Sequence, residues 1–154
     1  MMSPEIKIVP DMPALSRAGA DEFSRCAREA ISARGRFTVA LSGGSTPQGT
    51  HALIAEDQKD PAKRLEWDKI HIFFGDERHV PPTDKDSNFR AANESLLSKI
   101  PVPPQNVHRI LAELDANDAA AQYEVELRKV FNPKAGEWPR FDLIMLGMGP
   151  DGHT

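Results

Sequence analysis

A chain of 154 residues, 40% apolar and 27% charged, is long enough to close one domain around a real core, and this composition excludes a disordered or fibrous protein. Its 19 basic against 23 acidic residues give a net charge of −4 with no basic block, which excludes nucleic acid as the main partner but leaves room for local cations to hold a small anion. Cys26 is the single cysteine, so an internal disulfide and a cysteine metal cage are excluded; no apolar run is long enough to span a bilayer, residues 1–11 lack the pattern of a signal peptide, and a cytoplasmic protein without a membrane partner is expected.

In chain order, residues 5–9 (EIKIV) alternate weakly and predict a first strand, closed by Pro10 and Pro13. Leu15, Phe23, Ala27, Ala30 and Ile31 then recur at helical spacing until Gly35, with Cys26 expected to pack within that helix. Residues 37–41 (FTVAL) predict a short buried strand that breaks into SGGSTP, where Ser45 or Thr46 can cap a helix whose first turn accepts Pro47. A third strand is expected over 69–74 (KIHIFF), followed by the long loop GDERHVPPTDKDSN and a helix over 89–97 capped by Ser87 or Asn88. Prolines punctuate 102–110, which holds at most a short strand; a helix capped by Asn117 or Asp118 runs to about Phe131, and 141–146 (FDLIML) predicts the last strand.

Strands alternating with helices predict an α/β fold, with a mainly parallel, Rossmann-like sheet between two helical layers, α/β/α. In such a sheet the turns that leave strands for helices share one edge, so SGGSTP, GDERHV and GMGPDGHT are expected to meet beside the carboxyl ends of their strands, where ligands bind.

Each turn carries its own chemistry. In the first, Ser42, Gly43, Gly44, Ser45 and Thr46 can bring backbone N–H groups and hydroxyls to a phosphate at a helix N-terminus, although a purely structural tight turn would look similar. It is neither a nucleotide P-loop nor a G-x-S-x-G elbow. In the second, Asp76, Glu77 and Arg78 crowd charge at a strand end, a set that suggests chemistry but is also common in surface ion pairs. Asp84, Asp86 and Asn88 imitate the start of a calcium loop, yet Phe89 and Ser95 stand where its glycine and glutamate belong, so calcium is rejected. In the third, Gly147, Gly149 and Gly152 match a dinucleotide fingerprint only weakly, and His153 beside Asp151 is the more telling residue, an imidazole suited to general-base work near neutrality. His51, His71, His79 and His108 lack paired metal-ligand spacing and are expected to be structural or at the surface.

Together LSGGSTP (41–47), FGDERHVPPTDKDSN (74–88) and LGMGPDGHT (146–154) resemble the family of 6-phosphogluconolactonases and glucosamine-6-phosphate deaminases. The DER-x-VP turn, Ser87-Asn88 and the DGHT turn place the resemblance on the lactonase side, because the deaminases typically carry Asp-Glu-Tyr in the middle turn. The resemblance implies a catalytic domain over 1–154 that hydrolyses 6-phosphogluconolactone in the pentose phosphate pathway, with a phosphorylated sugar lactone as its small-molecule partner. His153 would draw a proton from the attacking water, Asp76 would orient the base or the water, and Arg78 would face the anionic substrate or the oxyanion. Ser42 to Thr46 would receive the phosphate; Asn88, Gly147, Gly149 and Asp151 would line the substrate, and Arg90 is either a second phosphate contact or an exposed helix residue. No metal or organic cofactor is required, because a lactone is already an activated ester. A monomer or a weak homo-oligomer is expected. Relatives typically continue well past the third turn, so the resemblance also implies that the chain is the N-terminal portion of a longer one, inactive and poorly stable alone. A deaminase or isomerase of the same fold, in which Asp76 abstracts a substrate proton, and a non-catalytic sugar-phosphate binder remain as alternatives.

Overall fold

The structure, a computed structural model, describes residues 5–149 together with 151 and 152. Four strands form one parallel sheet in the order β3-β2-β1-β4, where β1 is Phe37–Leu41, β2 Ile70–Phe74, β3 Val107–His108 and β4 Leu143–Ile144. Phe37 pairs with Ile70 and Leu41 with Phe74, while Val39 and Ala40 face Leu143 and Ile144 on the other side. β1 and β2 are the centre of the sheet, and their near-continuous burial explains why the pattern is apolar rather than alternating.

The period of two sorts the side chains into layers. Phe37, Val39, Leu41, Ile70, Ile72 and Phe74 join one core with Ala20, Phe23 and Ala27 of helix α1 (Met12–Arg34) and Ile54 and Ala55 of α2 (Ser45–Asp57). Phe23 meets Phe37 edge to face at 5.4 Å, and burying such a ring stabilises the fold by about 2–3 kcal/mol. The opposite face carries His71 and Phe73 and is covered by α4 (Ala116–Phe131), whose Phe131 lies 5.4 Å from Phe73. Helices on both faces of a parallel sheet make the three-layer α/β/α arrangement anticipated from the alternation of elements. Helix α3 (Asn88–Ser95) packs beside α2 and brings Phe89 against Phe74.

Several boundaries differ from the sequence expectation. Residues 5–9 form no strand: Ile6 and Ile8 are 86% and 91% exposed, and alternation makes a strand only where a neighbour offers a free edge to pair with. Pro13 does not close a strand but sits in the first turn of α1, where its missing N–H costs nothing, and Asp11 caps that helix by accepting from the Ala14 N–H. Gly35 ends it in the left-handed region at φ 75°. Neither Ser45 nor Thr46 caps α2; the cap is Gly44, with no side-chain bond, and Ser45 is already helical. Asp115, not Asn117 or Asp118, caps α4, and Ser87 caps α3 as expected. The last strand shrinks from 141–146 to Leu143–Ile144, because Phe141 turns in to pack on Phe73 and Phe131. Asp142 instead locks β4 to β1: its carboxylate accepts from the Thr38 N–H at 2.7 Å and the Thr38 hydroxyl at 2.9 Å, and pairs with Arg34.

Two histidine arrangements are structural, as expected. Ser95 spends its hydroxyl proton on the Ala91 carbonyl, so His51 Nδ1 donates to Ser95 Oγ at 3.1 Å and Nε2 is left as a buried lone pair with no partner among the described residues. Burial pushes the His51 pKa down to about 4. On the other face His108 Nδ1 donates to Glu126 at 2.8 Å and its Nε2 accepts from His71 at 3.0 Å, with Phe73 stacked on the His108 ring. Burial holds both of these imidazoles below their ordinary pKa, and that chain ties β2 and β3 to α4. No helix among the described residues is long and apolar enough to cross a membrane.

Candidate active site

The strand order places β2 and β4 on opposite sides of β1, so the chain changes direction between β1 and β4, and a crevice is expected outside the carboxyl ends of those strands. The turns leaving β1, β2 and β4 all start at that edge. Gly75 N–H donates to the Leu41 carbonyl at 2.8 Å, and Met145 N–H donates to the Ala40 carbonyl at 2.9 Å, so each turn begins within one residue of its neighbour's strand end.

The side chain of Asn88 bridges the first two turns. Its Nδ2 donates to Asp76 Oδ2 at 3.0 Å and to the Asp76 carbonyl at 3.3 Å. Its Oδ1 lies so close to Gly43 that a Cβ there would stand 2.0 Å away, so a glycine is required by contact rather than by backbone torsion. Asn88 itself is almost fully buried, whereas the Asp76 and Arg78 side chains are 58% and 62% exposed and face outward from the edge, 3.8 Å apart. A buried amide thus presents an accessible carboxylate and a nearby guanidinium.

The start of α2 is the anion-receptive part. Gly44 takes φ 107°, a region open to glycine, and turns the chain into the helix without a side-chain cap bond to the first-turn amides among the described residues. Those amides and the helix dipole attract negative charge, and Ser45 and Thr46 add hydroxyls at the same place. Among the described residues Ser42 Oγ is buried without a hydrogen-bond partner, an unusual state for a hydroxyl beside a ligand-type turn.

Other sequence candidates are placed differently. Arg90 lies on α3 with Nε on Glu94 at 2.7 Å and one terminal nitrogen on the Thr83 carbonyl at 3.0 Å, so its guanidinium is engaged on its own helix and loop. Gly147 and Gly149 lie on the stretch that leaves β4, and Gly149 accepts from the Gly152 N–H at 2.9 Å in a tight turn that includes Asp151. His153 lies outside the described residues. Sequence reasoning missed the role of Glu77, which turns away from the charged cluster: its carboxylate accepts from the N–H groups of Arg78, Asn88 and Phe89 and from the Ser87 hydroxyl. The available signal was an acid ten residues before a Ser-Asn helix start, which becomes informative only once the loop is seen to fold back. No group of three or more His, Cys, Asp or Glu among the described residues could hold a metal ion.

A parallel sheet flanked by helices, with a glycine turn and an acid-bearing turn in contact at the switch point, defines a doubly wound α/β domain, a class in which ligands bind at the carboxyl edge of the sheet. Residues 10–154 match the family described as glucosamine-6-phosphate isomerases/6-phosphogluconolactonase. The chain is 43% identical over 155 residues to the 6-phosphogluconolactonase of a Nostoc species, covering 99% of this chain and 62% of that protein. It is 42% identical over 127 residues to the chloroplastic 6-phosphogluconolactonase 3 of Arabidopsis thaliana, covering 79% of this chain and 38% of the relative. Among solved structures, the 6-phosphogluconolactonase of Trypanosoma brucei superposes with a TM-score of 0.83 at 30% identity, over 99% of this chain and 62% of that one. The Thermotoga maritima enzyme gives 0.81 at 32%, over 96% and 61%. The chain therefore belongs to the glucosamine-6-phosphate isomerase/6-phosphogluconolactonase family, and it spans about 62% of the length of the Nostoc relative.

Proposed function

We propose that the protein carrying this chain hydrolyses 6-phospho-D-glucono-1,5-lactone to 6-phosphogluconate, the lactonase step of the pentose phosphate pathway, in a reducing compartment such as the cytoplasm. The observation that carries this reading is the contact Gly43–Asn88–Asp76, which puts an accessible carboxylate beside the start of α2, whose Gly44 cap has no side chain to fill the first-turn amides. The phosphate sits on the amides and hydroxyls of residues 43–46, which holds the lactone ring over the Asp76 and Arg78 turn. Asn88, Gly147, Gly149 and Asp151 line the ring. His153 takes a proton from water as its oxygen bonds to the lactone carbonyl carbon; the carbonyl electrons move to oxygen, and Arg78 stabilises that charge more than the neutral ground state. Collapse of the intermediate breaks the bond to the ring oxygen, which receives the proton from His153 and becomes the hydroxyl of the open acid. Asp76 orients the water or the imidazole throughout. The middle turn carries Arg78 where the deaminases typically carry tyrosine, which favours the lactone over an amino sugar.

A spectrophotometric assay of lactone hydrolysis by the complete protein tests the reading. Turnover well above the spontaneous rate, reduced at least a hundredfold in His153→Ala, is expected. Ammonia release from glucosamine 6-phosphate without lactone turnover would replace the lactonase with a deaminase.

A further inference from the structure

Four donors converge on one carboxylate at the back of the candidate site. The N–H groups of Asn88 and Phe89, the first two residues of α3, reach Glu77 at 2.6 and 2.9 Å, the Ser87 hydroxyl at 3.1 Å and the Arg78 N–H at 2.8 Å. Hydrogen bonds to an ionised carboxylate are roughly twice as strong as neutral ones, and a negative charge at a helix N-terminus gains further from the dipole. Glu77 therefore ties both ends of the loop 75–88 together: Arg78 at its beginning, and Ser87, Asn88 and the start of α3 at its end.

That clamp has a direct consequence for the residue beside it. Asp76 is mostly exposed, and among the described residues its carboxylate is held by one hydrogen bond from Asn88 and the weak 3.8 Å approach of Arg78. Asn88 in turn is fixed by its backbone bond to Glu77 and by the wall of Gly43. We propose that Glu77 is a positioning residue for the reaction at this site: by fixing the backbone of Asn88 it sets the rotamer and height at which the Asn88 amide presents the Asp76 carboxylate to the substrate. Glu77 itself does not touch substrate, because its carboxylate faces α3 with its acceptor capacity filled. The inference rests on the lactonase reading for its assay and on the geometry alone for its structural arm.

In the complete protein, Glu77→Gln keeps the shape but presents an NH2 group to donors that need an acceptor, so Asn88 loosens and Asp76 loses its fixed position. The expected result is a fall in kcat of at least tenfold with KM for the lactone within threefold of wild type, since the phosphate-receiving turn 43–46 is untouched. Asn88→Ala should lower kcat similarly, and adding Glu77→Gln to it should cause little further loss, because both act through one amide. A general loss of folded protein would lower the active fraction and make the two effects multiply. Should Glu77→Gln fail to fold, Ser87→Ala, which removes one of the four donors, should give a smaller drop of the same kind. Losses that multiply in the double variant, or unchanged kcat in the folded single variants, would overturn the proposal. A crystal structure of Glu77→Gln, or of Ser87→Ala if that is the variant that folds, separates it from the function reading. Asp76 unmoved there overturns the positioning role whatever the reaction, while Asp76 displaced in a protein whose wild type leaves the lactone untouched supports the positioning role and overturns the lactonase.

Discussion

Gly43→Ala is the substitution whose cost can be worked most directly from the structure. The new methyl carbon would stand 2.0 Å from Asn88 Oδ1, 2.6 Å from its Cγ and 2.9 Å from its Nδ2, where ordinary contact begins at 3.4 Å. Backbone strain contributes nothing, because Gly43 is not among the glycines at positive φ. Asn88 is nearly buried and its backbone is bonded to Glu77, so the side chain must rotate and give up both bonds to Asp76. Two such bonds are worth about 1 kcal/mol each, and forcing extra volume into a packed place costs about 1–3 kcal/mol more, so a loss of about 3–5 kcal/mol is expected. For a domain of this size that lowers Tm by about 6–20 °C, read by circular dichroism. The decisive arm is the double variant. Asn88→Ala removes the atoms that collide, so Gly43→Ala should cost almost nothing in that background. An equal cost in both backgrounds would refute the contact on which the candidate site is built.

Three further outcomes follow from single groups. His51 has a folded pKa pushed down to about 4 by burial, so between the unfolded value of 6.5 and about 4 the unfolded chain binds the extra proton; stability is full above pH 6.5 and falls by up to about 3 kcal/mol as pH drops to 4. Urea unfolding at several pH values should show that slope reduced in His51→Leu, and an unchanged slope would exclude His51 as its source. Tyr123→Phe strips both partners from Phe74, whose N–H donates to the Tyr123 hydroxyl at 3.0 Å and whose carbonyl accepts from it at 2.8 Å, so a loss of about 1–3 kcal/mol is expected, and a neutral variant would show that water replaces the hydroxyl. Asp142→Asn should cost about 2 kcal/mol and speed amide exchange in 143–145 before the rest of the sheet; uniform exchange would mean that Asp142 does not hold β4 on its own.

The parts of the fold that could be read in the sequence are those whose environment is uniform. Phe37–Leu41 is buried at every position and bracketed by Gly35 and Ser42, so composition and punctuation agree and the strand appears with the expected limits. Residues 5–9 carry as good an alternation as many strands, but pairing depends on a partner that lies elsewhere in the chain, and the pattern holds no record of it. Ser45 and Thr46 looked like caps because their side chains suit that position; Gly44 takes it because the turn needs a left-handed φ. The site was legible at the level of turns and edge. The hierarchy within the second turn was not: Asp76 and Glu77 are equivalent by charge, and it is the return of the loop to Ser87 and Asn88 that sends Glu77 inward and leaves Asp76 and Arg78 at the rim. The partnership of His71, His108 and Glu126 escaped for the same reason, since its members lie on three elements with no spacing in common.

The central claim is that separate turns build one pocket for a phosphorylated sugar acid. Amide chemical-shift mapping of the complete protein with 6-phosphogluconate tests it most directly. The account predicts saturable shifts at 43–46, at 76–78 and 88, and at 147–153 together, with one affinity for all three stretches. Shifts confined to a single stretch, or falling on the far side of the sheet around Gln58, Leu65 and Trp67, would contradict it.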